Sequence, residues 1–320
     1  MYHEPVLARE VMERLVTSPG GLYLDCTMGG GGHSRAILDR LDESGRLLAL
    51  DWDEDAHAHV RAQAGAESNQ MGEHQVLGRD SRVTLLRHSF GELDRLPAPW
   101  QDLRFTGILM DLGLSSHQID TPARGFSYRF DGPLDMRMDR RRPRDAGHLL
   151  DVVDEAALGR LLRDLGEVRE WRRLAPLMLA ARRQGGLAST GQLRDLVEGK
   201  LGRRGSYDLL SRIFQALRMA VNDEHEALEQ GLDEAFRRLA AGGRLAVITY
   251  HSLEDRLVKT RFRRWSGEAE RPGSRHLPVA LPPRLGRLLE RRGVVPGPDE
   301  AARNPRSRSA RLRVIERMEA

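Results

Sequence analysis

The sequence predicts an α/β fold in which a mostly parallel sheet is interrupted by an all-helical domain. In the first 111 residues, short apolar runs alternate with helical patterns, which is typical of βαβ units. Residues 151–201 then show helical periodicity without strands, and an apolar strand at Arg244–Tyr250 follows. The length of 320 residues is sufficient for about two domains.

The first part of the chain supplies most of the predicted strands. Leu7, Val11 and Leu15 recur every four residues, so residues 6–16 are predicted as an amphipathic helix. Ser34 is placed to cap a helix that follows a glycine-rich turn. The predicted strands are Leu22–Asp25, Leu47–Asp51, Val83–His88 and Gly107–Asp111, the helices between them are Arg35–Leu41 and Asp53–Ala64, and residues 65–81 are a polar loop.

The alternation stops after residue 121. Residues 122–145 are rich in Arg, Asp, Gly and Pro, which predicts a long loop. Leucines at helical spacing follow, and this spacing continues to Phe236. The pair Gly242-Gly243 then ends the helical pattern. We therefore predict a helical insert at residues 122–218 within a domain made of residues 1–121 and 219–320.

The last part of the chain returns to strands. After the strand Arg244–Tyr250, Ser252 is placed to cap a helix that ends at Trp265. A short strand near Arg287–Arg291 and an alternating strand at Arg311–Glu316 complete the prediction.

Charge is distributed unevenly, although the formal net charge is only +4. Residues 1–121 carry 11 basic and 19 acidic side chains, whereas residues 122–218 carry 20 and 13. Residues 219–250 carry 3 and 6, whereas residues 251–320 carry 17 and 9. Two acidic blocks therefore alternate with two basic blocks, which indicates a polyanionic partner.

Composition and motifs exclude several classes of protein. One cysteine, Cys26, excludes an internal disulfide and a cysteine-rich zinc site, and we interpret it as an inert core residue. No run approaches the ~20 apolar residues of a membrane span, and no secretory signal is recognisable, so we expect a cytoplasmic protein without a membrane partner. The chain lacks a P-loop motif, and the cluster Asp51, Asp53 and Asp55 lacks the Gly and Glu of a calcium loop. We expect no metal site.

A cofactor site is predicted at the four glycines Gly29–Gly32. They follow a strand and open a helix, so the backbone can approach a ligand and offer N–H donors. Asp51 ends the next strand, where it can accept hydrogen bonds from ribose hydroxyls, and Asp111 ends a later strand on the same rim. Dinucleotides and S-adenosylmethionine both suit this pattern, but Ser34 replaces the third glycine of G-x-G-x-x-G, which disfavours NAD. The alternative to a cofactor role for the glycines is a tight turn that binds no ligand. The alternative for Asp111 is an aspartate that only caps its loop.

Several longer motifs occur in a characteristic order along the chain. They are His3–Leu7, Asp25–Ser34, Asp111–Ser116, Arg124–Tyr128, Asp131–Asp139, Phe214–Arg218, His251–Arg256 and Asn304–Ser309. Those at residues 131–139 and 251–256 are long and specific. Together the motifs resemble one family, the bacterial small-subunit (16S) ribosomal RNA cytosine-N4 methyltransferases, and the resemblance extends over essentially the whole chain.

The resemblance implies a class I S-adenosylmethionine-dependent methyltransferase with a Rossmann-like domain and a helical insert. Its substrate would be the exocyclic N4 amine of a cytidine in the decoding region of small-subunit RNA. The small ribosomal subunit would be the partner, and the oligomeric state, a homodimer included, stays open. By motif, the cofactor-binding residues would be Gly31, Gly32, His33, Asp51, Phe90, Asp111 and Gln118.

Two side chains are candidates for the chemistry. Asp111 occupies the place where many amino-methyltransferases carry an Asp/Asn-Pro-Pro-aromatic motif, and it would orient the cofactor or accept from the amine. His251, which follows the next strand, is the second candidate because its pKa range suits proton handling. A structural histidine at a strand end is the alternative.

RNA contacts are predicted in the loop and the basic tail. Aromatic rings interleaved with arginines can stack bases and hold phosphate, although a strand that buries the rings is an equal alternative. The rings are Phe126, Tyr128 and Phe130, and the arginines interleaved with them are Arg124 and Arg129. Arginine runs beside a base site favour phosphate contact. The residues predicted to bind RNA are Arg124, Phe126, Tyr128, Arg137, Arg140, Arg141, Arg142, Arg306 and Arg308.

Three departures from the family pattern are notable. Tyr250 stands where the family commonly has Phe, His225 replaces a usual Leu, and the loop Gly65–Ser81 is longer than is typical. All three lie outside the glycine turn, so we expect little effect on the cofactor site. Two other functions compete with RNA methylation: a methyltransferase for DNA, protein or a small molecule, and a non-catalytic RNA-binding assembly factor. A nicotinamide dehydrogenase is the weakest alternative.

Overall fold

The computed structural model describes residues 5–63, 74–75, 80–202, 206–268 and 283–319. The chain divides into two compact units. One comprises Leu114–His225, which contains the segment 122–218 that we predicted as an insert. The other combines His3–Gly113 with Glu226–Ala320 and contains the sheet. Most of the predicted polar loop at residues 65–81 lies outside the described residues.

The sheet has eight strands in the described part of the chain, namely β1 Leu22–Asp25, β2 Arg46–Asp51, β3 His74–Gln75, β4 Val83–Arg87, β5 Phe105–Asp111, β6 Leu239–Thr249, β7 Gly286–Leu288 and β8 Arg311–Arg317. Their order in the sheet is β3-β4-β2-β1-β5-β6-β8-β7. Strands β4, β2, β1, β5 and β6 run parallel, while β3 pairs antiparallel with β4, and β8 pairs antiparallel with both β6 and β7. The prediction of a mostly parallel α/β sheet is therefore confirmed.

Both faces of the sheet are buried. Successive side chains of a parallel strand point to opposite faces, and each face is covered by its own hydrophobic core. Leu47 and Ala49 belong to one core and Leu48 and Leu50 to the other. The first core is completed by apolar residues of α1 Ala8–Leu15, α2 Gly32–Leu38 and α3 Glu54–Gln63. The second is completed by α10 Glu224–Arg237 and α11 Ser252–Trp265. This layering brings the carboxyl ends of β1, β2 and β5 to one edge.

The unit Leu114–His225 contains only helices and irregular segments among its described residues, apart from an isolated bridge between Pro133 and Ser189. Leu158, Leu162 and Ile213 are buried, so the leucine spacing in the sequence marks the helix faces that pack together. The α-helices are α4 Ser116–Asp120, α5 Ala146–Val152, α6 Glu155–Asp164, α7 Trp171–Arg183, α8 Thr190–Leu201 and α9 Ser206–Asn222.

The β6 strand begins earlier than predicted. Gly242-Gly243 lies inside it rather than before it, at a point where the register against β5 shifts. A Cβ on Gly243 would lie 2.8 Å from the carbonyl oxygen of Phe105. The glycine therefore permits a close approach of two backbones and does not end the element.

Two predicted helix caps are wrong. Helix α2 begins at Gly32 after the left-handed Gly31, and Ser34 is buried inside its first turn. The N-cap of α11 is His251 and not Ser252. In the tail, the short strand is Gly286–Leu288 rather than 287–291, and a helix that we did not predict, α12 Pro298–Arg303, follows it.

Within the described residues, no helix is long and apolar enough to cross a membrane.

Candidate functional site

The turn between β1 and α2 is held by hydrogen bonds to two aspartates at strand ends. The backbone N–H of Gly29 donates to Asp51 Oδ2 at 2.8 Å, and that of Thr27 donates to Asp25 Oδ1 at 3.1 Å. Gly31 has a φ of 80°, a left-handed conformation that glycine adopts without strain. The glycines therefore let the chain turn directly from the edge of the sheet into α2.

Asp25 is a buried anchor for this turn. Ser34 Oγ donates to its Oδ2 at 2.6 Å, which explains why Ser34 faces inward and does not cap α2. Burial raises the pKa of Asp25, although the bonds from Ser34 and Thr27 favour its charged form. We assign Asp25 a structural role, because it is fully buried.

Asp51 is fixed at the end of β2 by two backbone donors. In addition to Gly29, the N–H of Asp53 donates to its Oδ1 at 2.8 Å. The His57 ring Nε2 lies 2.8 Å from the Asp51 carbonyl oxygen. Burial raises the pKa of Asp51 to about 7, and the neighbouring charges of Asp53 and Asp25 act in the same direction. Its carboxyl group therefore changes charge near neutral pH.

Asp111 ends β5 and is held by both its backbone and its side chain. Its N–H donates to Thr27 Oγ1 at 2.7 Å. Its Oδ1 accepts the hydroxyl hydrogen of Tyr250 at 2.8 Å, and its Oδ2 lies 3.4 Å from His33 Nδ1. The side chain is 21% exposed, so a ligand at this edge can still reach the carboxylate.

His33 lies in the first turn of α2 and is buried. Its Nε2 lies 2.9 Å from the carbonyl oxygen of Val6 and its Nδ1 faces Asp111. Burial lowers the pKa of His33, but the carboxylates of Asp111 and Asp25 outweigh burial, and the net shift is upward. A carboxylate and an imidazole thus share the rim.

Two residues of this site were missed in the sequence. Thr27 lies within the recognised glycine motif, but nothing local shows that its hydroxyl reaches Asp111. Tyr250 was noted only as a departure from the family pattern with little expected effect. The structure adds a contact that this expectation did not include, because the hydroxyl that distinguishes Tyr from Phe donates directly to Asp111.

Phe90 lies just after β4 and packs against the sheet core while keeping partial exposure. Its ring centroid is 6.2 Å from that of Trp52, which follows Asp51. A Cβ on Gly231 would lie 2.8 Å from the Phe90 ring, so α10 packs closely on its other side. This position is compatible with Phe90 as a core residue and with Phe90 as a contact for the adenine ring of a cofactor. Trp52 is a second candidate for that contact.

His251 has a structural partner of its own. It is the N-cap of α11, where Glu254 N–H donates to its Nδ1 at 3.5 Å and the Glu254 carboxylate accepts the His251 N–H at 3.4 Å. The His251 Nε2 and Glu254 Oε1 lie 3.0 Å apart. This capping box accounts for the His-Ser-Leu-Glu sequence, and the catalytic role of His251 stays a prediction.

Gln118 and Arg124 belong to the unit Leu114–His225. Gln118 is buried, and its side-chain oxygen accepts the N–H of Ser115 at 2.9 Å in a capping box of α4. Arg124 is 1% exposed and donates from Nη2 to the carbonyl oxygens of Arg137 and Met138 at 2.9 and 3.0 Å. Arg124 therefore stabilises the loop through these hydrogen bonds. Because its side chain is buried, direct contact of Arg124 with RNA is disfavoured.

The aromatic residues of this loop differ in exposure. Phe126 is buried and the Arg124 guanidinium lies 5.6 Å from its ring centroid. Tyr128 is partly buried, with its hydroxyl 2.9 Å from Ser211 Oγ and its ring edge against Phe214. Phe130, the third ring of this pattern, is 44% exposed. The surface available to a base in this unit therefore includes Tyr128 and Phe130 rather than Phe126.

The arginine run also divides by its partners. Arg137 and Arg141 form two-point ion pairs with Asp135 and Asp139, two residues before each of them. Arg142 pairs with Asp223 and donates to Val221 O at 2.9 Å. Arg140 is exposed. Among the predicted residues of the tail, Arg306 is half-buried and Arg308 is exposed.

The rim formed by Asp51, Asp111 and the glycine turn suits a cationic cofactor better than an anionic one. Carboxylates accept hydrogen bonds from ribose hydroxyls and attract a sulfonium or ammonium group, whereas the pyrophosphate of a dinucleotide would be repelled. The residues present therefore fit S-adenosylmethionine. Among the described residues, no group of three or more His, Cys, Asp or Glu side chains is arranged to hold a metal ion.

Comparison with known proteins agrees with this geometry. The family model described as the MraW methylase family matches residues 1–318. A Symbiobacterium thermophilum protein named Ribosomal RNA small subunit methyltransferase H is 44% identical over 326 residues, which cover 100% of this chain and 98% of that protein. A Leptothrix cholodnii protein of the same name is 45% identical over 319 residues, covering 98% and 93%. The chain therefore belongs to the MraW methylase family.

Proposed function

We propose that this protein uses S-adenosylmethionine to methylate the exocyclic N4 amine of a cytidine in the decoding region of 16S ribosomal RNA, with the small ribosomal subunit as its substrate. The single observation that carries the proposal is the Asp111 carboxylate, which is held at the edge of the sheet and remains partly exposed beside the glycine turn. The relatives named as small-subunit ribosomal RNA methyltransferases support the choice of substrate.

The cofactor residues divide into two kinds. Asp51 and the turn Gly29–Gly32 would hold the nucleoside part, because the turn exposes backbone and Asp51 can accept from hydroxyl groups. Phe90, with Trp52 beside it, offers an apolar ring for the base. When bound, S-adenosylmethionine supplies an electrophilic methyl group, so the reaction needs no further activation of the donor.

The protein must therefore activate the nucleophile, which is the N4 amine of cytosine. The N4 lone pair of cytosine is delocalised into the ring, which makes the amine weak. If Asp111 accepts one N–H of the amine, the lone pair becomes more localised on nitrogen, and the same carboxylate can take the proton that must leave after transfer. Such a base must be within hydrogen-bond reach of the amine, which its partial exposure permits.

The target base must be unpaired or flipped before it reaches this rim, since the amine of a stacked base pair is inaccessible. Tyr128 and Phe130 offer rings for unstacked bases, and Arg140 and Arg308 offer exposed charges for phosphate. We select these residues for the proposed RNA surface because their side chains are exposed or partly exposed.

The proposal is tested by methyl transfer from labelled S-adenosylmethionine to small subunits isolated from cells that lack the gene. We expect one N4-methylcytidine per subunit, located by mass spectrometry of RNA fragments. Label in DNA, protein or a small molecule would identify another methyltransferase. Binding of cofactor and subunits without transfer would identify a non-catalytic assembly factor.

A further inference from the structure

The Asp111 carboxylate has a different donor facing each of its oxygens. Tyr250, which follows β6, donates its hydroxyl to Oδ1 at 2.8 Å. His33, in the first turn of α2, places Nδ1 3.4 Å from Oδ2. The two donors come from opposite ends of the chain, so the orientation of Asp111 depends on the tertiary structure and not on its own loop.

The His33 donor depends on protonation. A backbone carbonyl oxygen can only accept, so the Nε2 that lies 2.9 Å from Val6 O must carry a hydrogen. The Nδ1 that faces Asp111 then carries a hydrogen only in the imidazolium form. When His33 is neutral, a lone pair faces the carboxylate, and this donor is lost. Asp25 is the other carboxylate that acts on the His33 ring.

The Tyr250 donor does not depend on protonation at working pH. Burial raises the pKa of its hydroxyl well above the usual value, and the charges of Asp111, Glu254 and Glu300 act in the same direction. Its backbone is also fixed, because its N–H donates to the Glu254 carboxylate at 2.9 Å. A Cβ on Gly113 would lie 3.2 Å from the Tyr250 ring, so the ring also packs against the chain that leaves β5.

We propose that the Tyr250 hydroxyl is a positioning group that keeps Asp111 oriented for methyl transfer when His33 is neutral. This inference rests on the proposed function, in which Asp111 takes part in the reaction. Tyr250 acts through Asp111 and not on the substrate. Phe at this position, as in the pattern of the resembling family, would leave the orientation of Asp111 to His33 alone.

The test compares single-turnover methylation of small subunits by wild type and Tyr250→Phe at about pH 6.5, the usual histidine pKa, and at about pH 8.5, roughly two pH units above it. Near pH 6.5 we expect the two rates to agree within about three-fold, because His33 still donates to the carboxylate. Near pH 8.5 the variant should be about ten-fold or more slower, as expected for loss of a hydrogen bond to a charged group. Equal rate ratios at the two pH values would overturn the proposal.

Tyr23→Phe is the matched control. Tyr23 is fully buried, whereas Tyr250 is partly buried, and the Tyr23 hydroxyl donates to Ser18 O at 2.9 Å rather than to a carboxylate. We expect its rate relative to wild type to be the same at both pH values. A pH-dependent loss in Tyr23→Phe equal to that of Tyr250→Phe would show that any buried hydroxyl has this effect and would overturn the specific role.

The pKa of the His33 ring, measured by an NMR titration, tests this inference independently of the proposed function. Without the Tyr250 hydroxyl, Asp111 has more charge available to His33, so the pKa of His33 should rise in Tyr250→Phe and stay unchanged in Tyr23→Phe. This measurement needs no RNA. If wild type methylated no RNA, the proposed function would fail, while an unchanged His33 pKa would overturn the shared-donor arrangement itself.

Discussion

The hydroxyl oxygen of Thr27 accepts a hydrogen bond from the backbone N–H of Asp111 at 2.7 Å. This bond joins the turn after β1 to the last residue of β5, which lies beside it in the sheet. The Thr27 side chain therefore adds to the pairing of β1 with β5 in positioning the Asp111 main chain relative to the glycine turn. Because the side chain of Asp111 is also held from two directions, the carboxylate is fixed before any ligand binds.

We expect Thr27→Val to lower both stability and cofactor affinity. Valine preserves the shape but leaves the Asp111 N–H without its acceptor, which costs about 1–3 kcal/mol of unfolding free energy. The released strand end should also weaken the binding of S-adenosylhomocysteine, measured by calorimetry. Thr106→Val is the control, since the Thr106 hydroxyl accepts the N–H of Leu22 at 3.2 Å near the other end of β5. It should lose stability without losing affinity, and an equal loss of affinity in both variants would contradict the prediction.

We expect Asp111→Asn to lower the single-turnover rate about 100-fold or more, the usual scale for loss of a positioned base. The amide can still accept from Tyr250, so the fold of the rim should persist, but it cannot take a proton. The rate is measured at saturating cofactor and small subunits, and the unfolding temperature serves as the control for folding. A normal rate together with normal cofactor affinity would remove Asp111 from the mechanism.

We expect cofactor affinity to rise with pH through the titration of Asp51. With a pKa of about 7 in the folded protein, the accepting carboxylate is mostly protonated at pH 6 and mostly charged at pH 8. The affinity for S-adenosylhomocysteine should therefore rise about ten-fold between about pH 6 and about pH 8. Asp51→Asn should bind more weakly and flatten this dependence. An unchanged slope in Asp51→Asn would assign the titration to another group, such as His33.

The same pKa has a consequence for the protein without ligand. The folded-state pKa of Asp51 lies above its ordinary value of 3.8, so the folded state binds the proton more tightly than the unfolded state. This contribution to stability is fully present below pH 3.8 and is lost as the pH rises through about 7. Wild type should therefore lose stability relative to Asp51→Asn between these pH values, which denaturant titrations at several pH values would measure.

We expect Arg140→Glu to weaken RNA binding and reduce its salt dependence. Arg140 is exposed, and its neighbours Arg141 and Arg142 are paired with Asp139 and Asp223. Loss of one phosphate contact should make the slope of log affinity against log salt less negative by about 0.7–0.9. Arg9→Glu is the control, because Arg9 is 77% exposed on α1, within the acidic first block. The same slope in wild type and Arg140→Glu would exclude a phosphate contact at this position.

Local sequence was sufficient for the strands and helices that build the site. The carboxyl ends of β1, β2 and β5 were recognisable because apolar runs end there in aspartate, at Asp25, Asp51 and Asp111. The glycine turn was recognisable because only glycine allows the backbone such freedom between a strand and a helix. These features depend on residues that are neighbours in sequence, so periodicity and composition reveal them.

Helix caps were less predictable, because the same residue types serve several purposes. Ser34 and Ser252 were both suitable for an N-cap, yet Ser34 donates to buried Asp25 and His251 caps α11. Arg124 resembled an RNA-binding arginine in sequence, yet it is buried against loop carbonyls. In each case a partner outside the local segment decided the role.

The sequence by itself determined the mostly parallel sheet, the glycine turn and the acidic residues at its edge, since these follow from short-range patterns. Only the tertiary structure decided how Asp111 is held. Tyr250 lies 139 residues from Asp111 along the chain, and Thr27 lies 84 residues from it. The parallel arrangement of β1, β5 and β6 brings their carboxyl ends together, and a hydrogen bond between residues so distant in sequence exists only because the sheet has formed.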